Sequence, residues 1–142
     1  MATGKKPEKR IKRFVMLGSP NQGAELAEKL GDNPAFIAVF GSAGQQLGKR
    51  WAELKPTLAT PACEFGIIAG GTQFDKGFNP LLKEDNDGLL TVESTKLAGA
   101  ADFLVLPVIH ACLVNDPNAM QCTLRFLEHG YFLSPADRHP LN

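Results

Sequence analysis

Short continuous apolar runs and stretches of helical periodicity alternate along this chain. Arg13-Phe14-Val15-Met16-Leu17-Gly18 and Glu64-Phe65-Gly66-Ile67-Ile68-Ala69-Gly70 are apolar runs of strand length that end in glycine, the pattern of buried strands. Phe103-Leu104-Val105-Leu106-Pro107-Val108 is a third run, and Pro107 sets its end near a sheet edge because proline cannot donate to a ladder. After the first run, Ser19-Pro20-Asn21-Gln22-Gly23 reads as a turn-rich loop. A helix is expected from about residue 23 to Leu30, stopped by Gly31-Asp32-Asn33-Pro34. From Phe36 to Leu54, apolar residues at Phe36, Val39, Phe40, Ala43, Leu47, Trp51 and Leu54 keep a three-four spacing, which predicts an amphipathic helix. Gly41, Gly44 and Gly48 weaken it, each by about 1 kcal/mol relative to Ala, so a kink or two helices end to end is expected. Leu89 to Glu93 reads as a short strand or hairpin arm. Asn115 to Glu128 reads as a last helix with Met120, Leu124 and Leu127 on one face.

Strands alternating with helices predict an α/β fold, with about three parallel strands and flanking helices. Three strands make a thin, partial sheet for that class. Residues 1–12 form a basic arm, 13–133 the folded domain and 134–142 a polar tail.

The 142 residues suit one domain with a real core, and 44% hydrophobic residues exclude a disordered composition. Net charge is zero, so the chain as a whole carries no nucleic-acid or membrane signal. The charge is unevenly spread. Lys5, Lys6, Lys9, Arg10, Lys12 and Arg13 face only Glu8 in the first thirteen residues, and the remainder has a net of −5. Without interleaved aromatics for base stacking, the basic stretch reads as a solvated terminus. No signal peptide and no apolar run of the roughly 20 residues that span a bilayer is visible. Cys63, Cys112 and Cys122 lack a Cys-x-x-Cys pair, so buried free thiols are expected rather than a metal site or disulfide framework; unpaired cysteines tilt towards the cytoplasm.

Candidate chemistry lies at Asn86-Asp87-Gly88-Leu89-Leu90 and at His110. The loop with Asp87 follows the second strand and His110 follows the third. In a parallel α/β sheet both lie at the carboxyl ends of strands, where ligands bind. An acid followed by a His after the next strand is the order of the last two members of a Ser…Asp…His triad. Asp87 would hold the imidazole, and His110 would be the general base. Plainer readings exist: Asn-Asp-Gly is a turn signal, and a lone His beside Ile109 is a common core residue. Asp75, Glu84 and Asp85 read as solvated loop charges before a cation site. Asp102 and Asp116 read as turn or capping residues, and His129 as a cation at a helix end. His139 reads as exposed. No cofactor and no metal is expected.

The segments Val15-Met16-Leu17-Gly18-Ser19-Pro20-Asn21-Gln22-Gly23, Phe65–Gly70, Asn86–Thr95 and Val108-Ile109-His110, in this order, resemble the lipase and esterase branch of the α/β-hydrolase superfamily. The resemblance covers residues 12 to about 133. It implies that Asp87 and His110 stand at the acid and base positions of a serine-hydrolase triad. It also implies that the first strands, the oxyanion-hole loop and the Gly-x-Ser-x-Gly nucleophile lie before residue 12. The chain then corresponds to the C-terminal half of such a domain and is inactive alone. Its substrate would be an ester or lipid once the site is completed. Its partner would be a complementing half, or a second copy, at the open strand 13–18. One alternative is a non-catalytic interaction module derived from a hydrolase. Another is a self-sufficient esterase using Ser42, with 35–40 as a strand and Gly41-Ser42-Ala43-Gly44 as the turn, although Phe40 stands where the elbow wants glycine.

Overall fold

In the computed structural model, which describes residues 10–142, three strands form one parallel sheet in the order β1-β2-β3. They are β1 (Arg13–Leu17), β2 (Glu64–Gly70) and β3 (Asp102–Leu106). Phe14 pairs with Phe65, and Ile67 with Phe103. Helices α1 (Glu25–Leu30), α2 (Pro34–Leu47) and α3 (Trp51–Leu54) fill the first crossover. The second crossover is mostly irregular. Helices α4 (His110–Leu113) and α5 (Pro117–His129) follow β3. This is the expected α/β class.

The core is built on β2, which is buried from Phe65 to Gly70. Successive side chains of a strand point to opposite faces, and β2 uses both. Ile68 packs with Leu113, Ala119, Cys122, Phe126 and Phe132 on one side. Phe65, Ile67 and Ala69 pack with Ala100 and Phe103 on the other. β1 lies at the edge; its Phe14 is exposed, and its other residues are half-buried. The polar residues 134–142 run back over the sheet end. Asp102 is buried and accepts from the backbone N–H groups of Phe132 and His139 at 2.8 and 2.9 Å. Leu141 exchanges backbone hydrogen bonds with Gly99 and Ala100.

Several expectations are corrected. The segment 89–93 is no strand; a single antiparallel bridge, Asn86 to Thr91, precedes a 3-10 turn at Glu93–Thr95. In α5 the buried stripe is Ala119, Cys122 and Phe126, while Met120, Leu124 and Leu127 are exposed. Two apolar stripes compete in that sequence, and the one that includes Phe126 joins the core. Asp116 caps the helix by accepting from Ala119 N–H at 2.9 Å. The 36–54 stretch is divided, as its glycines led one to expect: α2 is interrupted at Gly41, whose φ of 54° and ψ of −142° are not helical, and α3 is separate. Residues 35–40 are helical, not a strand. Cys112 is exposed and Cys63 half-buried; only Cys122 is a buried thiol. Most of the basic arm, residues 1–9, lies outside the described residues.

Candidate active site

The loop after β2 has almost no regular structure, yet its last part is the most enclosed polar region of the domain. Asn86 is fully buried and Asp87 is 1% exposed. Asp87 Oδ1 accepts from the N–H groups of Leu89 and Leu90 at 3.0 and 2.8 Å. This is the turn expected of Asn-Asp-Gly, but it holds a buried carboxylate rather than a solvated one. The other oxygen, Oδ2, lies 2.7 Å from His110 Nδ1. The main chains are tied as well, since His110 N–H donates to the carbonyl of Asp87 at 2.8 Å. Two residues 23 positions apart are thus joined twice.

Ionised, the Asp87 carboxylate is acceptor-only, so a neutral His110 must carry its proton on Nδ1 and leave a lone pair on Nε2. About a third of the His110 side chain is exposed, and no hydrogen bond to Nε2 occurs among the described residues. The hydrogen bond that His110 donates to Asp87 raises the His110 pKa above its ordinary value; the Asp87 charge adds to this, and partial burial pulls against it. A basic imidazole with one bound and one accessible nitrogen can take a proton from a hydroxyl and return it.

The end of β1 shapes the other side of the ring. Gly18 has φ of +53°, and a Cβ there would lie 3.2 Å from His110 Nδ1 and Cε1. A side chain would press on the imidazole and strain the backbone. Gly18 N–H donates to Ile68 O at 2.9 Å, extending the β1–β2 ladder up to the site.

Other residues singled out in the sequence stand apart. Ser42 is exposed within α2, and the non-helical residue there is Gly41, not the serine; the strand-to-helix turn of a nucleophile elbow is absent at this place. Asp85 is held by Thr72 N–H at 2.6 Å, Thr72 Oγ1 at 3.0 Å and Gln73 N–H at 2.9 Å, an anchor for the loop. Among the described residues, no group of three or more His, Cys, Asp or Glu is arranged to hold a metal ion. No helix among them is long and apolar enough to cross a membrane. A cleft of about 530 Å³ bordered by Gln22, Ser94, Lys96 and Leu141 includes neither His110 nor Asp87 in its wall. Sequence reasoning missed Asn79 and took Asn86 for part of a turn. The signal was slight: two asparagines seven residues apart in a loop rich in turn formers.

The sheet and its flanking helices define an α/β fold. No protein-family model matches the sequence, and no curated protein matches it. Among solved structures, the chain is similar to Bacillus licheniformis lipase BlEst2 in its propeptide form, with a TM-score of 0.61 and 16% identity over 92% of this chain. It is also similar to the mature form of that lipase, with a TM-score of 0.52 and 18% identity over 82% of this chain. The chain spans 31% of the propeptide form and 54% of the mature form.

Proposed function

We propose that this chain supplies the general base and its orienting acid to a serine-hydrolase site that cleaves carboxylic esters. The observation that carries the proposal is the 2.7 Å contact between His110 Nδ1 and Asp87 Oδ2, made by a carboxylate that two backbone N–H groups hold in place. A lipase-like fold around that pair is consistent with it. In the proposed reaction, a serine hydroxyl attacks the acyl carbon while His110 Nε2 takes its proton. Asp87 keeps the ring oriented and stabilises the imidazolium. The imidazolium protonates the leaving alcohol, and the acyl-serine forms. Water, deprotonated by the same His110, then releases the acid and the serine.

The serine is proposed to lie outside these 142 residues. No Gly-x-Ser-x-Gly is present, and Ser42 sits in an exposed helix. Its natural place is at the end of a strand added to the open edge of β1. Strands pair about 4.8 Å apart, so the end of such a strand reaches the rim beside Gly18 and His110. Unpaired edges recruit strands, and the partner is accordingly a strand-bearing segment rather than a nucleic acid.

The test is fluorophosphonate labelling of the native gene product, with whatever sequence accompanies these residues, followed by mass-spectrometric mapping. The expected label is on a serine outside residues 1–142, and His110→Ala abolishes it. A label on Ser42 overturns the reading in favour of a self-contained esterase. A folded native product that never labels leaves a non-catalytic interaction module.

A further inference from the structure

Asp87 sits between two residues gripped by a pair of amides. The Asn86 side chain makes four hydrogen bonds. Its Oδ1 accepts from Asn79 N–H at 2.8 Å and Gly88 N–H at 3.0 Å. Its Nδ2 donates to the carbonyls of Asn79 at 3.2 Å and Glu84 at 2.8 Å. Asn79 answers with its own side chain, whose Nδ2 donates to Gly88 O at 2.9 Å. Phe78 N–H adds a bond to the Asn86 carbonyl at 3.1 Å. Gly88 is therefore fixed at both its N–H and its C=O, and Asn86 at its carbonyl and its side chain. Asp87 lies between them. The loop closes tightly on this pair, because a Cβ at Gly77 would overlap the Asn86 backbone nitrogen and amide.

An amide suits the task because it donates and accepts at once, so one side chain satisfies N–H and C=O groups together. It is also uncharged. A cation there would compete with His110 for the Asp87 carboxylate, and an anion would add like charge to a buried site. The nearest acid in sequence, Asp85, is bound to Thr72 and Gln73 instead.

We infer that Asn79 and Asn86 form a neutral clamp that positions Asp87 towards His110, so that both act on the chemistry through Asp87. The inference rests on the base-and-acid reading, but its test needs no nucleophile. The 142-residue chain is labelled with ¹⁵N at histidine, and the ring nitrogens of His110 are followed by NMR across pH. Asn79 is half-buried, so Asn79→Ala removes one arm of the clamp and keeps the fold, checked by circular dichroism. The expected result is a His110 midpoint shifted down towards about 6.5, the free imidazole value, with the preference for a proton on Nδ1 weakened. Asn86→Ala shifts both further if it folds; if it does not, Asn79→Ala decides alone. A folded Asn79→Ala chain with wild-type His110 midpoint and tautomer overturns the clamp. If the clamp variants move His110 while the native product never labels with fluorophosphonate, the clamp stands and the hydrolase reading falls.

Discussion

The loop from Asp85 to Thr95 and helix α2 reverse the usual association between regular structure and burial. The loop has one bridge and one 3-10 turn, yet Asn86, Asp87, Leu90, Thr91 and Thr95 are all buried. α2 is fourteen residues long, and only Gly44 within it is buried; Val39 is 74% exposed. The helix satisfies its own backbone internally and needs little else. The loop can be buried only because side chains and neighbouring turns take up its polar groups. Rigidity at the site thus comes from saturated hydrogen bonding, not from secondary structure.

Breaking the saturated region has the largest expected effect. Asp87→Ala leaves the N–H groups of Leu89 and Leu90 and the His110 ring without their acceptor. Each buried unpaired donor costs about 1–3 kcal/mol, so a loss of about 2–4 kcal/mol is expected in urea denaturation. A loss near zero would mean that the loop is not held as described. Gly18→Ala comes next. Left-handed backbone at a non-glycine costs about 1–2 kcal/mol, and the added methyl presses on His110; the melting temperature should fall and the His110 ring signals should shift together.

The pH dependence is smaller, and its sign follows from the pair. His110 has a raised pKa in the fold, chiefly through its hydrogen bond to Asp87, so the folded state favours the imidazolium. Stabilisation from this group is full below about 6.5 and fades as pH rises through the folded-state value. His110→Ala should remove that fade from the stability–pH curve; an unchanged curve contradicts the pairing. The smallest effect belongs to α2. Val39→Ser touches no buried surface and should stay within about 0.5 kcal/mol, while α2 amides exchange with deuterium before those of Leu89 and Leu90. A large loss at Val39, or the reverse exchange order, would show that α2 is covered in solution.

The contrast also explains what the sequence disclosed. The three strands were legible because β2 and β3 are continuous apolar runs, the signature of strands buried on both faces. Asp87 and His110 were legible as positions by their order along the chain. Their contact was expected from that order, but the burial of Asp87 was not, because the polar residues of its loop look solvated one by one. Asn86 read as a turn former and proved to be the most connected side chain of the loop. Periodicity alone did not tell the two apolar stripes of α5 apart: Met120, Leu124 and Leu127 are exposed, whereas Ala119, Cys122 and Phe126 are buried. Ser42 illustrates the converse: Gly41-Ser42-Ala43-Gly44 looks like part of an elbow, but the helical spacing around it won.

The most direct test of the account is an NMR titration of His110 in the unmodified chain, read at both ring nitrogens. The expected result is a midpoint above about 6.5 and, beyond it, a neutral ring with its proton on Nδ1 and Nε2 unprotonated. A midpoint at or below that value, or a neutral ring protonated on Nε2, would contradict it.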